Sequence, residues 1–187
     1  MRKKTIRRKL REAIGGSDLV AIDRVSRPSQ TVKGFIVSVG RRWVLVHQTM
    51  DGGFFDGHVA IRISEVHRVR GDVTFESAFA RTQPEWPPAQ PRSDRDVELG
   101  TTAGLLASLA SPGQLFGVER NKKYDAMWIG VLEGVIPPWL YMREVRPDAT
   151  WHDEPLGYRL RTITLVLVGT HYLRGLTSIA EPAPIPS

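Results

Sequence analysis

The five histidines and the acids beside them are the first place to look for chemistry in this chain: His47, His58, His67, His152 and His171. His47 with Asp51, or Asp56 with His58, has the residue types of a general acid–base pair, which must lie within hydrogen-bond reach of the proton it moves. Both pairs fall at turn-flanked strand ends, and no spacing supplies a third, orienting group. Trp151-His152-Asp153-Glu154-Pro155 puts three metal-ligating types in a row. Adjacent side chains point different ways, so a solvated loop is the simpler reading. The stretch DGGFFDG, starting at Asp51, mixes carboxylates and glycines as a calcium loop does. It lacks alternating ligand spacing and a closing bidentate Glu, and reads as a hairpin turn. There is no glycine-rich phosphate loop with its Lys and no nucleophile elbow. No cysteine is present to form a thiolate or a disulfide. These residues predict a protein without catalytic site, metal or cofactor.

The cations become informative once they are located. Among 187 residues, 26 Lys and Arg face 20 Asp and Glu, a net charge of +6 that points to a polyanionic partner. Arg2, Lys3, Lys4, Arg7, Arg8, Lys9 and Arg11 all precede the first acid, Glu12. Without these seven, 19 basic residues face 20 acidic ones, so the basicity belongs to an N-terminal segment and not to the body. Within that segment Ile6, Leu10 and Ile14 recur at helical spacing and Gly15 and Gly16 follow, which predicts a short helix with one apolar stripe. Three uses fit it: docking the stripe with a solvated basic back, contacting phosphates, or lying on an anionic membrane surface. Arg41, Arg42 and Arg62 join the arm as candidate nucleic-acid contacts.

Aromatic residues extend this reading, because bases stack on exposed rings and Arg41 and Arg42 adjoin Trp43. Trp43 and Trp128 sit in apolar strands and are expected in the core. Trp86, Trp139 and Trp151 lie in proline-flanked segments that they pin down, and Trp139 and Trp151 are candidate contacts to a partner.

The elements that would position these groups follow from the pattern. After the arm the apolar period changes to two, over 19–25, 31–39, 43–50 and 58–69, with turn residues between. A short helix is expected over 72–81. Four prolines between Pro84 and Pro91 exclude helix and central strand, so residues 83–98 read as a linker. Beyond it Thr101 and Thr102 can cap a helix that Pro112 and Gly113 end, and strands are expected over 114–119 and 126–132. The second half replays the first: RRWVLV against AMWIGV sets Trp43 beside Trp128, and Gly57/Gly157, Ile63/Ile163 and Val66/Val166 stand 100 apart. On this alignment residues 135–155 are an inserted loop.

The first half resembles the Sm-like family of small bent β-barrels. Against that family's first signature, Gly34 stands at the glycine, Ile36 at the leucine, Val39 at the phenylalanine, Trp43 at the methionine, and Leu45 and Val46 at the closing apolar pair. Its second signature falls on IRISEV, where Ile61, Arg62 and Val66 match. The resemblance covers about 45 residues of the first half and, more faintly, the second. It implies the fold. The family's base-binding Asp, Asn and Gly positions are Gly40, Val44 and Ile63 here; only Arg62 is retained, with Arg161 nearest to it in the second half.

The expectation is a mainly β chain with short helices, built as two tandem Sm/SH3-like small bent β-barrels. The parts are a basic arm (1–16), a first barrel (17–82), a proline-rich linker (83–98), a second barrel (99–180) and a disordered tail (181–187). Trp43, Trp128, Ile36, Ile63, Val66 and Val166 are expected to be buried. No apolar run reaches the roughly 18 residues of a membrane-spanning helix, and no apolar stretch follows the basic start, which predicts a cytoplasmic protein. Two partner classes compete: RNA or DNA held through phosphates by the arm, or another protein, with the chain as an adaptor or an immunity-type inhibitor. The arm and the resemblance favour nucleic acid.

Overall fold

A computed structural model describes residues 3–92, 96–121 and 126–184. Helix α1 (Lys3–Glu12) is followed by β1 (Leu19–Arg24), β2 (Thr31–Val39), β3 (Trp43–Thr49), β4 (Phe55–Arg62), β5 (Val66–Asp72) and α2 (Phe75–Ala80). Then come α3 (Thr102–Leu109), β6 (Phe116–Arg120), β7 (Met127–Ile136), β8 (Trp139–Glu144), β9 (Leu156–Arg159), β10 (Ile163–Val168) and α4 (His171–Ile179). The ten strands form one open antiparallel sheet in the order β5-β1-β2-β3-β4-β10-β6-β7-β8-β9. In place of two barrels joined only through residues 83–98, β4 pairs with β10 and the ladder runs unbroken from one half to the other.

Each half has the same internal order, and the register fixes how they correspond. Val20 faces Gly34 and Gly34 faces Gln48; Phe116 faces Gly130 and Gly130 faces Glu144. Over these strands the offset is 96 residues, as from Val20 to Phe116. Past the β3–β4 turn it becomes 97, as from Arg62 to Arg159, which face Trp43 and Trp139. Both halves carry a bulge at the matching place, between Ile36 and Ser38 and between Leu132 and Gly134. Gly34 and Gly130 are equivalent for a steric reason: a Cβ there would run into the carbonyl oxygens of His47 and Arg143 respectively.

This register corrects the alignment read from the sequence. The counterpart of Trp43 is Trp139, not Trp128, and those of Ile63 and Val66 are Leu160 and Ile163. Trp128 lies on β7 and is only half-buried. Residues 135–155, expected as an inserted loop, contain β8. Pro137 and Pro138 make the tight β7–β8 turn, with Ile136 facing Trp139. The expected single strand 58–69 is two strands broken by a 3-10 turn at Ile63–Glu65.

Three apolar clusters form the core of the described residues, and in the two larger ones each half lends residues to the other. Val44, Val46, Val59, Ile61 and Val69 pack with Leu165 and Leu167 of β10, while Leu105, Leu106, Phe116, Leu140 and Ile163 pack with Trp43, Leu45 and Ala60. Polar ties cross the same joint. Arg62 donates from Nε to the Ile163 carbonyl at 2.8 Å, and from Nη2 to the Leu160 carbonyl at 2.9 Å and Thr102 Oγ1 at 3.1 Å. Arg24 and Glu119 form a buried ion pair. The proline-rich stretch lies on the body: Trp86 packs edge-on to Phe35 at 5.0 Å, and the Leu99 carbonyl accepts from the Arg42 and Trp43 N–H groups.

Candidate nucleic-acid interface

Helix α1 is docked. Ile6 and Leu10 are buried against the first core cluster, whereas Ile14, third in the stripe, lies past the helix end and is 44% exposed. Burying one stripe fixes where the cations point. Lys4, Arg8, Lys9 and Arg11 are exposed on the helix, and Arg8 pairs with Glu12 at 2.8 Å. Such an exposed i,i+4 pair contributes only a few tenths of a kcal/mol. Lys3 and Arg7 occur one turn apart on the side that meets the sheet. Arg2 lies outside the described residues.

The β2–β3 turn rises to meet them. The Gly40 N–H donates to the Trp43 carbonyl, closing the turn and leaving Arg41 and Arg42 exposed at its tip. Arg7 Nη2 donates to the Arg41 carbonyl at 2.7 Å, tying helix to turn. Arg62 enters from the end of β4, with its guanidinium 5.1 Å from the centre of the Trp43 ring. Lys3, Arg7, Arg41, Arg42 and Arg62 thus line one concavity of about 260 Å³, together with Ile63 and Ser64. Among the described residues no acidic side chain lines it. Partial burial, and then the charge of Arg42, pull the Arg62 guanidinium below its usual pKa, with Glu65 acting in the opposite direction. A cation crowded by another cation in a drier setting gains from a bound anion.

The sequence named all five of these cations, but not that three separated segments converge. Arg62 is tied into the joint by its three hydrogen bonds, so it borders the concavity as a half-buried group. Its counterpart is Arg159, not Arg161: Arg159 lies 4.9 Å over the Trp139 ring as Arg62 lies over Trp43. A Trp followed by an Arg 19 residues on (Trp43 to Arg62) and again 20 residues on (Trp139 to Arg159) was the available signal.

Trp151 is half-buried: its Nε1 donates to the Glu181 carbonyl at 2.9 Å and its ring packs on the first cluster. That bond also ties down the start of the expected tail, of which 185–187 lie outside the described residues. Trp139 is half-buried. Val44 is fully buried, so no polar base pocket exists at that position.

The histidine pairs considered for chemistry are arranged otherwise. His47 stacks on His58 at 4.1 Å, and burial, then the neighbouring His58, push its pKa down to about 3. His58 Nε2 hydrogen-bonds the Ala89 carbonyl at 2.8 Å, and Asp56 instead holds His171 at 2.9 Å. Among the described residues no group of three or more His, Asp or Glu gathers. Nor is any helix there long and apolar enough to cross a membrane. Comparison with protein-family models, curated proteins and solved structures yields no match in any of the three.

Proposed function

We propose that this chain is a non-catalytic binding protein that holds nucleic acid, RNA first, through its phosphates and without regard to base sequence. The observation that carries this reading is the concavity lined by Lys3, Arg7, Arg41, Arg42 and Arg62, with no acid lining it among the described residues. Phosphate oxygens accept charge-assisted hydrogen bonds from such guanidinium forks, and these contacts position a strand but carry no sequence information. The apolar identity of Val44 and its burial support the lack of base readout. The matched strand order and bulges of the two halves fit the reading of each half as one small bent Sm/SH3-like unit, fused edge to edge. Binding of several unrelated single-stranded RNAs tests the proposal. Affinities within a few-fold of one another are expected, and a strong preference for one sequence would contradict it.

A second reading, a protein-interaction module, is supported by a different feature. Ile136, Tyr141 and Leu156 are exposed on β7, β8 and β9, at the far end of the sheet from the cations.

A further inference from the structure

Helices α2 and α4 follow β5 and β10 in the same way. Each starts after a threonine, Thr74 or Thr170, and each buries two residues one turn apart, Ser77 and Ala80 in α2, Leu173 and Leu176 in α4. On this alignment Ser77 corresponds to Leu173 and Arg81 to Thr177, while residues 17–19 correspond to 113–115. In the first half α2 is stitched to the chain beside it. Ser77 Oγ accepts from the Leu19 N–H at 2.9 Å, and Arg81 Nη1 donates to the Ser17 carbonyl at 3.4 Å. The second half lacks both ties. The Leu173 side chain has no group that can accept a hydrogen bond, and the Thr177 hydroxyl donates back to the Leu173 carbonyl at 2.8 Å. Neither side chain draws α4 onto residues 113–115.

A chamber of about 450 Å³ stands there, between α4 and the connection from α3 to β6. Its size falls within the roughly 300–1,000 Å³ of small-molecule sites. Leu115, Phe116, Val168 and Leu173 make an apolar floor. Hydroxyls at the rim are already engaged: Ser111 Oγ accepts from Arg92 Nη1 at 2.8 Å, and Ser178 Oγ donates to the Gly175 carbonyl at 2.7 Å. Among the described residues Arg174 is the only charged side chain lining the chamber, and no acid does. Arg174 is exposed on α4 and also borders a smaller cavity of about 240 Å³, together with Arg92 and Glu85. Two guanidiniums against one carboxylate leave that side positive, since burial holds the pKa values of His47 and His58 there below the usual range.

We infer that this chamber binds a small amphipathic carboxylic acid as its anion, with the apolar body on the floor and the carboxylate on Arg174. Charge complementarity selects the head group. A guanidinium presents two parallel N–H donors that match the two oxygens of a carboxylate, and a cationic head would meet only like charge in the chamber. The floor selects the body, because burying alkyl surface is favourable at about 25 cal/mol per Å². A nucleic-acid phosphate has no such surface to bury. The chamber shares no lining residue with the concavity of Lys3, Arg7, Arg41, Arg42 and Arg62. It is a second site, and it does not rest on the nucleic-acid reading.

The test is a titration of the isotope-labelled full chain with octanoate, followed residue by residue in amide correlation spectra, with octylamine as the same tail on a cationic head. Octanoate at millimolar concentration should give saturable shifts at Leu115, Val168 and Arg174, and octylamine should bind at least tenfold more weakly. Arg174→Glu, at an exposed position, should invert that preference, and Arg174→Lys should keep it. Thr177→Trp, also exposed on α4 and lining the chamber, should fill the space and abolish the octanoate shifts at Leu115 and Val168. Thermal melts check that each variant is folded. The inference is overturned by the absence of saturable octanoate shifts, or by shifts confined to Lys3, Arg7, Arg41 and Arg42. Equal binding of the two head groups, or a preference that Arg174→Glu leaves unchanged, would overturn it as well.

Discussion

Trp43 and Trp139 occupy the same position in the two halves, yet removing their rings should have very different consequences. Trp43 is 0% exposed, enclosed by residues of the second half, and covered by Arg62. A tryptophan side chain buries on the order of 200 Å², and at about 25 cal/mol per Å² its enclosure is worth roughly 5 kcal/mol as an upper value. Observed costs for Phe or Trp to Ala in cores are about 3–5 kcal/mol. For a chain of this size each kcal/mol moves the melting temperature by about 2–4 °C, so Trp43→Ala should melt roughly 6–20 °C lower. Trp139 keeps one side in solvent, and Trp139→Ala should cost less than half as much. The assay is thermal and urea unfolding followed by far-UV circular dichroism at low concentration, since removing a tryptophan alters the fluorescence signal itself. Equal costs for the two substitutions would refute the claim that the joint between halves buries Trp43. So would a Trp43→Ala protein as stable as the parent.

Three further outcomes follow from the same geometry. Arg24→Met, which leaves the Glu119 carboxylate buried with its main partner gone, should destabilise by about 3–5 kcal/mol in urea titrations, and the double change with Glu119→Leu should recover much of the loss. Lowering the pH should weaken the fold. The His47 imidazole is held down to about 3 while unfolded chains take up that proton near 6.5, so stability is full above about 6.5 and declines toward 3 by up to about 1.4 kcal/mol per pH unit. His58, lowered by burial, acts in the same direction, and His47→Phe should flatten the urea midpoint between pH 7 and 4.5. Gly34→Ala, whose methyl group would run into the His47 carbonyl, should cost several °C of melting temperature, with Gly130→Ala behaving alike.

Much of the architecture was legible because it rests on local rules. The stripe of Ile6 and Leu10 marked α1, Thr101 caps α3 through the Gly104 N–H at 2.9 Å, and the apolar strands around Ile36 and Trp43 lie within a residue of their expected bounds. What was misread depends on register. A period-two apolar pattern fits several alignments equally well, so Trp128 could stand in for Trp139 until the pairing of β7 with β8 was known. The same alignment made residues 135–155 an inserted loop, whereas Pro137 and Pro138 form a two-residue turn between β7 and β8. Pairing of β4 with β10 joins positions about 100 residues apart and leaves no mark in either strand alone. The candidate site divides in the same way. Its cations were visible as residue types, but the meeting of Lys3, Arg7, Arg41 and Arg42 is set by where α1 docks, and that depends on tertiary packing.

Docking of α1 also decides how the central claim must be tested. Deleting the basic segment would remove the buried Ile6 and Leu10 along with the charges, so the charges alone should be changed. The direct measurement is fluorescence anisotropy of a labelled single-stranded RNA over a salt series, comparing the parent with Lys3→Gln/Arg7→Gln/Arg41→Gln/Arg42→Gln. For the parent, the logarithm of the affinity should fall linearly with the logarithm of salt, by about 0.7 for each phosphate neutralised. The fourfold variant, with an unchanged far-UV spectrum, should bind at least tenfold more weakly at low salt, and its slope should be shallower by about 0.7 for every phosphate it leaves unneutralised. No binding by the parent at low salt, or equal binding by the variant, would contradict the account.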